Sequence, residues 1–303
     1  YRTALVAIPA NANLSPELRQ AVQTARAAID ANNLALENFL EDHLKTLRTK
    51  HADEPLGRFD RALDTLLFKR RIYRPQPNFL YYPHLPAIEF YERADFPWLD
   101  SIEASTDDIR EELLNVLAED AGNMRPYMNF PPGGVPDQWR ELNRSLRWGV
   151  YYLWIEGQAR AANMARCPRT MAALKAWPPC DMPGCAPTAM FSILEAKSHI
   201  PPHAGSNNCR LVVHLPLIVP PDCSFRVGAE TRIWEPGNAF VFDDTIEHEA
   251  RNNSDQWRAV LILDIWNPLL SEAERDMVRG LTAALDDYYR DMPDYVVRGH
   301  RPG

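Results

Sequence analysis

Residues 210–227 read RLVVHLPLIVPPDCSFRV. Two runs of aliphatic, β-branched and aromatic residues are separated here by two prolines and an aspartate. Runs of this composition form strands, and Pro and Asp favour the turns between them. The stretch therefore predicts two strands, Arg210–Val219 and Ser224–Val227, joined by a short turn.

The same alternation of short apolar runs and turn residues continues on both sides of this stretch. Pro, Gly, Asn and Asp separate the runs, and evenly spaced short strands with such turns are typical of a β-sandwich or a jelly roll. The further predicted strands are Trp148–Trp154, Met190–Ala196, Thr231–Trp234, Ala239–Phe242, His248–Arg251 and Arg258–Trp266. The predicted fold class is mainly β, with helical additions.

Helical patterns precede and follow these strands. Apolar residues recur at steps of three and four from Leu18 to Ile29, and Ser271 with Glu274 forms a capping box before a C-terminal helix. The predicted helices are Pro16–Lys50, Arg58–Arg70, Ser101–Asp120, Pro168–Trp177 and Ser271–Tyr289. We therefore expect a helical segment over residues 1–73, compatible with the end of a helical repeat region, and a strand-rich domain over residues 74–303.

The composition excludes some classes of function. The 303 residues are 46% hydrophobic and 24% charged, with a formal net charge of -8. Such a chain can bury a core, but its acidity argues against nucleic-acid binding, which requires the neutralisation of phosphates. The longest apolar runs are too short to cross a bilayer. We expect no nucleic-acid partner and no membrane span in this segment.

The first residue and the cysteines bear on the cellular setting. The chain starts at Tyr1 rather than Met and shows no signal-peptide pattern, so we expect a piece of a longer protein that lacks its native N-terminus. Five cysteines are too few for a disulfide scaffold and favour reduced thiols in a cytoplasmic protein. A bridge between Cys180 and Cys185 stays open, and the oligomeric state is not indicated.

Three residues combine into a candidate site. His203 and His248 each lie beside a predicted strand, and a jelly roll brings strands that are distant in sequence close together. Arg258 begins a very apolar strand, where an unpaired guanidinium is costly unless an anion meets it. A dicarboxylate would supply that anion through a bidentate pair.

Several runs around these residues resemble motifs of the aspartyl/asparaginyl β-hydroxylase family. Its first metal motif resembles His203-Ala-Gly-Ser-Asn-Asn-Cys-Arg-Leu-Val-Val-His214-Leu, its second resembles Phe242-Asp-Asp-Thr-Ile-Glu-His248-Glu, and its closing strand resembles Arg258-Ala-Val-Leu-Ile-Leu-Asp264-Ile-Trp266-Asn-Pro268. Glu230-Thr-Arg-Ile-Trp234-Glu-Pro-Gly237 also fits the pattern. The match runs from about Pro75 to Pro268 with the order and spacing kept, and the helical head resembles a tetratricopeptide-repeat region that often precedes this domain.

The resemblance implies a double-stranded β-helix, a cupin-like jelly roll, that binds iron(II), 2-oxoglutarate and dioxygen. It implies a hydroxylase acting on the β-carbon of aspartyl or asparaginyl residues in a peptide or protein. The implied roles are His203 and His248 as metal ligands, Ser192, His214 and Arg258 as 2-oxoglutarate ligands, and Arg210 with Asp244 as substrate-binding residues. His203, His248 and Arg258 would form the catalytic set.

Two positions limit what the resemblance implies. Most related oxygenases have a carboxylate ligand two residues after the first histidine, whereas Gly205 stands there in this chain and in the family. An open position leaves a halogenase as an alternative. Val212 stands where animal members of the family have an arginine near the substrate, which favours an asparaginyl target or a different small substrate over an aspartyl one.

Other interpretations remain open for individual residues and for the whole chain. Arg210 would otherwise pair with an acid such as Glu247 or Glu249, while Asp264 and Trp266 are expected to pack the closing strand. The same chemistry on a small molecule, either a free amino acid or a lipid acyl chain, is one alternative function. A non-catalytic jelly-roll binding protein is another.

Overall fold

A computed structural model describes residue 8 and residues 13–131 and 133–290. The chain divides into two compact units between Ile72 and Tyr73. Residues 1–7 and 9–12 of the predicted helical segment, and residues 132 and 291–303 of the predicted strand-rich domain, lie outside the described residues. Within the described ranges, no helix combines the length and the apolar character needed to cross a membrane.

Within the described residues, the N-terminal unit contains two helices. Helix α1 spans Pro16–Lys50 as predicted, and the hydroxyl of Ser15 caps it by accepting a hydrogen bond from the Leu18 amide. Helix α2 spans Gly57–Leu66 and so ends before the predicted Arg70. Phe68, just beyond its end, has a left-handed backbone with φ of 60°, a conformation that cannot continue a right-handed helix.

The C-terminal unit consists of eleven strands and five α-helices within the described residues. The helices are α3 (Leu99–Glu103), α4 (Thr106–Glu119), α5 (Ala161–Ala165), α6 (Pro168–Ala173) and α7 (Glu272–Tyr289). The strands are β1 (Arg125–Pro126), β2 (Trp148–Ile155), β3 (Gln158–Ala159), β4 (Ala189–Leu194), β5 (Ser198–His203), β6 (Arg210–Ile218), β7 (Cys223–Val227), β8 (Glu230–Arg232), β9 (Phe240–Phe242), β10 (His248–Asn252) and β11 (Arg258–Trp266).

The strands form two antiparallel sheets. The large sheet has the order β1-β2-β4-β11-β6-β9, with β3 paired to β2, and the small sheet has the order β5-β10-β7-β8. Every strand pair is antiparallel. The arrangement is the predicted jelly-roll core with helical additions.

The large sheet is buried on both faces because its side chains alternate between two cores. Leu211, Val213 and Leu261 pack with Ile109 and Leu113 of α4 in one apolar cluster. Their neighbours on the opposite face join residues of the small sheet in a second cluster, which includes Val212, Val260, Leu194, Phe225 and Ala250. The second cluster therefore fills the interior between the two sheets.

Besides the early end of α2, the structure differs from the prediction at several elements, including the short strands β1 and β3, which were not predicted. Strand β5 was not predicted, because its two prolines, Pro201 and Pro202, argue against a strand. They are tolerated since β5 is an edge strand, where a proline on the unpaired side removes no hydrogen bond of the ladder. The predicted helix Ser101–Asp120 is divided into α3 and α4. The helix predicted over Pro168–Trp177 continues beyond Ala173 only as a 3-10 turn, Leu174–Ala176.

Candidate functional site

The two candidate metal ligands lie side by side on the small sheet. His203 ends β5, His248 begins β10, and the two are direct partners in the antiparallel ladder. Their ring centroids are 4.1 Å apart with an interplanar angle of 51°. The strand pairing thus brings together two imidazoles that are far apart in sequence, as the resemblance implies.

Both rings are oriented by backbone carbonyls. His203 Nδ1 lies 2.8 Å from the Pro201 oxygen, and His248 Nδ1 lies 3.1 Å from the Ile246 oxygen. Because a carbonyl oxygen can only accept, each Nδ1 carries the proton and each Nε2 keeps its lone pair. Burial and the neighbouring ring lower the pKa of His203 to about 3, and burial lowers the pKa of His248 to about 4. Two neutral imidazoles with free Nε2 atoms are suited to bind a metal ion.

The position two residues after His203 is filled by another part of the chain. A Cβ atom built on Gly205 would lie 2.1 Å from Asp244 Oδ2, and the Gly205 amide donates to the Asp244 carbonyl at 2.6 Å. Asp244 Oδ1 is buried without a hydrogen-bond partner. Among the described residues, no group of three His, Cys, Asp or Glu side chains is arranged to hold a metal ion.

The candidate substrate-binding residue Arg210 is paired with two carboxylates. Its Nη2 donates to Asp244 Oδ2 at 2.8 Å and its Nη1 donates to Asp264 Oδ1 at 2.9 Å. Burial alone would lower the pKa of Arg210, but the two carboxylates raise it above its ordinary value. The expected alternative partners were wrong, since Glu247 and Glu249 pair with Arg226 instead.

Arg258, unlike Arg210, has no ion-pair partner among the described residues. Its side chain is 1% exposed, and its Nε atom has no hydrogen-bond partner. No carboxylate in the described part of the chain pairs with it; its guanidinium lies 4.4 Å from the centre of the Trp234 ring. Burial lowers the pKa of Arg258 to about 10, so it remains a cation at neutral pH. A buried cation without a counter-charge indicates a site for an anion.

His214 and Ser192 lie on the same inner face of the large sheet as Arg258. In the ladder, Val260 pairs with Ser192 and Ile262 pairs with His214. Val260 and Ile262 are two and four residues after Arg258, so they and their partners point to the same face of the sheet as Arg258. The pKa of His214 lies well below its ordinary value because the ring is buried and Arg258 is near. The structure thus brings together the three residues assigned to 2-oxoglutarate.

Two tryptophans that the sequence analysis did not assign to the site orient these groups. Trp234 Nε1 donates to His214 Nδ1 at 3.4 Å, so the proton of His214 is on Nε2. Trp148 Nε1 donates to Ser192 Oγ at 3.1 Å, which leaves the hydroxyl proton of Ser192 available. The rings of Trp148 and His203 are 6.3 Å apart. The place of Trp234 in a family motif could have indicated its role, whereas Trp148 was predicted only as the first residue of a strand.

Other expectations concern residues around the site. Asp243 Oδ1 accepts hydrogen bonds from the amide and the hydroxyl of Thr245, the usual role of an aspartate in a turn. Asp264 binds Arg210 as well as packing the closing strand. None of the five cysteines is in a disulfide bond, so Cys180 and Cys185 are not bridged.

Comparison with known proteins adds an independent line of information. The family model described as aspartyl/asparaginyl beta-hydroxylase matches residues 103–268. An ornithine lipid ester-linked acyl 2-hydroxylase from Rhizobium tropici is 34% identical over 197 residues, covering 64% of this chain and 66% of that protein. Human aspartyl/asparaginyl beta-hydroxylase is 30% identical over 177 residues, covering 58% of this chain and 22% of that protein.

More remote similarity extends further along the chain. Human aspartate beta-hydroxylase domain-containing protein 2 is 26% identical over 252 residues, covering 80% of this chain and 65% of that protein. The chain therefore spans no more than 66% of these three relatives. A solved structure, the DMSP lyase DddQ from Ruegeria pomeroyi, aligns to 76% of this chain and 93% of that one with a TM-score of 0.34 and 14% identity. The assignment of the fold accordingly rests on the strand pairing.

Proposed function

The chain belongs to the aspartyl/asparaginyl beta-hydroxylase family, and from this premise we propose that it is a hydroxylase dependent on iron(II), 2-oxoglutarate and dioxygen. The observation that carries the proposal is that two adjacent imidazoles, the half-buried His203 and the buried His248, occur together with a buried guanidinium, Arg258, whose Nε atom has no hydrogen-bond partner. His214 lies within electrostatic reach of both His248 and Arg258, so these groups border one interior site. Such a site suits a metal ion and an acidic co-substrate together.

The residues present fit the metal. His203 and His248 present their Nε2 atoms from adjacent strands, and the carbonyls on their Nδ1 atoms fix the ring orientation. Iron(II) with 2-oxoglutarate and dioxygen would supply the oxidation, which places one oxygen atom on the substrate and the other on succinate. The chain itself contributes two neutral ligands and leaves the remaining positions to smaller molecules.

The residues also fit the co-substrate. Arg258 would bind the distal carboxylate of 2-oxoglutarate and neutralise it, and the Nε2 proton of His214 and the hydroxyl of Ser192 would donate to the same molecule. All three donors are fixed before binding, since Trp234 lies against Arg258 and bonds His214, and Trp148 bonds Ser192. Preorganised donors lose little entropy on binding.

The environment of Gly205 favours hydroxylation over halogenation. The Asp244 carboxylate lies against Gly205, where a third protein ligand would otherwise stand. Its Oδ1, which has no hydrogen-bond partner, can accept a hydrogen bond from a water molecule there, whereas a chloride ion in that place would be repelled by the carboxylate.

The charges near Arg210 favour an uncharged substrate group. Asp244 and Asp264 already neutralise the guanidinium of Arg210, so it has no charge to offer a substrate carboxylate. Val212, which is buried in the interior cluster, adds none. We therefore propose the β-carbon of an asparaginyl residue in a peptide or protein as the target, in preference to that of an aspartyl residue.

A lipid acyl chain is the second candidate substrate. The segment before β2 brings the half-buried Met128, Phe130 and Val135 against the interior cluster, beside Trp139. Trp139 meets His203 edge to face with ring centroids 5.2 Å apart. This apolar wall next to the candidate metal ligands would accept a hydrocarbon chain, and the rhizobial relative is an acyl hydroxylase by name.

The chemistry is tested without knowledge of the substrate. Anaerobic addition of iron(II) and 2-oxoglutarate should produce the weak visible charge-transfer band of a bidentate oxo-acid chelate, and admission of oxygen should yield succinate. Both signals should disappear in His203→Ala and His248→Ala. His199→Ala is the matched control, because His199 lies on the same strand but binds Glu249. A protein that shows neither band nor succinate would be the non-catalytic alternative.

The substrate is tested with matched pairs of compounds. Peptides that differ only in Asn or Asp at one position, and acyl lipids with the same chain and different head groups, would be assayed for the addition of one oxygen atom by mass spectrometry. Oxidation of the Asn peptide supports the first candidate and oxidation of the lipid supports the second. A preference for the Asp peptide would contradict the charge argument at Arg210.

A further inference from the structure

Tyr127 is an exposed aromatic residue at the edge of the interior site. It directly follows β1, and its backbone amide donates to the Trp148 carbonyl at 3.0 Å, which continues the pairing of β1 with β2. Its ring stacks on the Trp148 ring, with centroids 4.0 Å apart and an interplanar angle of 22°. Trp148 is on the inner face of the large sheet, because Val150, two residues further along β2, pairs with Ser192. The Tyr127 ring therefore lies on the inner face as well.

The hydroxyl of Tyr127 is close to the candidate substrate-binding residues. It lies within electrostatic reach of three charged groups, Arg210, Asp244 and Asp264. His203 is also within electrostatic reach of Asp244, so Tyr127 and a candidate metal ligand border the same carboxylate. The Tyr127 side chain is 36% exposed, and its hydroxyl forms no hydrogen bond with another described residue. This hydroxyl is therefore available to a ligand that enters from solvent.

The surroundings of this hydroxyl decide which kind of group it can bind. Desolvation raises the pKa of Tyr127, Arg210 opposes that rise, and Asp244 and Asp264 add to it. Since the ordinary pKa of a tyrosine is about 10, the hydroxyl keeps its proton at neutral pH and can donate a hydrogen bond. The two carboxylates neutralise Arg210 and would repel an anionic acceptor. An uncharged oxygen atom is therefore the acceptor that fits.

The two candidate substrates carry such an oxygen at the same place. The β-carbon of an asparaginyl residue is bonded to the carboxamide carbonyl of the side chain. Carbon 2 of an ester-linked acyl chain, the position that the name of the rhizobial relative specifies, is bonded to the ester carbonyl. In both compounds the carbon to be hydroxylated is next to an uncharged carbonyl group. A donor that binds this carbonyl would fix the position of the neighbouring carbon.

We propose that Tyr127 is a specificity-determining residue whose hydroxyl donates a hydrogen bond to the uncharged carbonyl oxygen next to the carbon that is hydroxylated. This inference rests on the proposed function, and the asparaginyl carboxamide is the source of the carbonyl that the charges at Arg210 favour. Trp148 connects recognition of the substrate with that of the co-substrate, since it stacks on Tyr127 and donates to Ser192 at 3.1 Å. The stacking fixes the direction of the hydroxyl before the substrate binds.

Removal of the hydroxyl alone tests the assignment. Tyr127→Phe keeps the ring on Trp148, so the variant should bind 2-oxoglutarate with the wild-type Kd and form the same charge-transfer band. Its kcat/KM for the Asn peptide should fall roughly 5- to 150-fold, because the substrate carbonyl loses its donor. Tyr151→Phe is the matched control, which should keep the wild-type kcat/KM. Tyr151 is also on β2, but it belongs to the cluster on the opposite face and its hydroxyl bonds Asp120 at 2.8 Å.

A substrate that lacks the carbonyl tests the partner of the hydroxyl. In a peptide with 2-aminobutyrate in place of asparagine, a methyl group replaces the carboxamide, so the ratio of kcat/KM between the Asn peptide and this peptide should be at least about fivefold smaller in Tyr127→Phe than in the wild type. If the wild type oxidises the acyl lipid instead, the ester-linked chain and its ether-linked counterpart form the corresponding pair.

The outcomes separate this inference from the proposed function. A wild-type kcat/KM in Tyr127→Phe, or an equal ratio in both proteins, overturns the role of Tyr127 and leaves the hydroxylase in place. A raised Kd for 2-oxoglutarate in Tyr127→Phe would indicate a structural effect through Trp148 and also overturns the proposal. A wild-type protein that yields no succinate with iron(II), 2-oxoglutarate and oxygen refutes the proposed function and this inference together.

Discussion

Replacement of Arg258 by methionine measures two effects of the buried charge separately: its effect on the stability of the fold and its effect on the binding of 2-oxoglutarate. The guanidinium is 1% exposed, its Nε atom has no partner, and its contact in the interior is the Trp234 ring at 4.4 Å. In the protein without co-substrate, an unsatisfied buried polar group costs about 1–3 kcal/mol, and the cation–π contact returns about 0.5–2 kcal/mol. The Met variant should therefore be as stable as the wild type, or more stable by about 1–2 kcal/mol.

Co-substrate binding should change in the opposite sense. Breaking a buried charge pair costs about 3–5 kcal/mol, which corresponds to a rise in Kd on the order of 150- to 5,000-fold. Calorimetric titration of 2-oxoglutarate into the manganese(II)-loaded protein would measure that change, and urea unfolding without ligand would measure the stability.

A matched control removes another cation that lies over an aromatic ring. Arg232 lies 4.0 Å from the centre of the Phe90 ring and pairs with Glu230, at the edge of the small sheet. Arg232→Met should leave the Kd for 2-oxoglutarate unchanged. The reasoning fails if Arg258→Met binds 2-oxoglutarate like the wild type, or if it loses more than about 2 kcal/mol of stability without ligand.

Three further substitutions test the surroundings of the site. Gly205→Ala places a Cβ 2.1 Å from Asp244 Oδ2 and should cost about 1–3 kcal/mol by overpacking. In an Asp244→Ala background, which itself lacks one partner of Arg210, the same substitution should cost much less in thermal unfolding, and an equal cost would place the strain elsewhere. Arg210→Ala leaves two buried carboxylates unpaired and should cost about 3–5 kcal/mol without any substrate; an unchanged Tm would return Arg210 to a substrate-binding role. Burial alone would raise the pKa of Glu249, but hydrogen bonds led by Arg226 lower it to about 2. A carboxylate with a lowered pKa stabilises the fold above its unfolded pKa of about 4.3. The deficit of Glu249→Gln in urea unfolding should therefore be full at pH 7 and fade as the pH falls from about 4.3 towards 2, whereas a constant deficit would indicate a packing effect.

Sequence patterns predicted the elements that carry most of the site. Strand β11 begins at Arg258 and ends at Trp266 as predicted, because an apolar β-branched run between polar turns has one reasonable interpretation. The capping box of Ser271 and Glu274 is present at the start of α7 for the same reason, since it depends only on local hydrogen bonds. Local chemistry of this kind can be read from one sequence.

Features that depend on tertiary contacts could not be predicted. Strand β5 contains two prolines, which argue against a strand in isolation, and only its edge position permits them. The partners of Arg210 are 34 and 54 residues away in sequence, whereas the expected partners Glu247 and Glu249 were chosen without knowledge of the register. The two tryptophans that orient His214 and Ser192 are likewise distant in sequence.

The charges of the interior give a physical reason for the order of the site along the large sheet. At the start of β11, Arg258 is a cation without a carboxylate partner among the described residues. At the other end of β11, Arg210 pairs with Trp266 in the ladder and is outnumbered by two carboxylates. A dicarboxylate entering the interior is therefore attracted to Arg258 and repelled from the Asp244 side, where an uncharged group is favoured. Because Arg258 is on the large sheet and His203 and His248 are on the small one, an anion and a metal ion would approach each other from opposite walls. The polarity of the site thus follows from which residues of β6, β10 and β11 face inward, and from their pairing before any ligand binds.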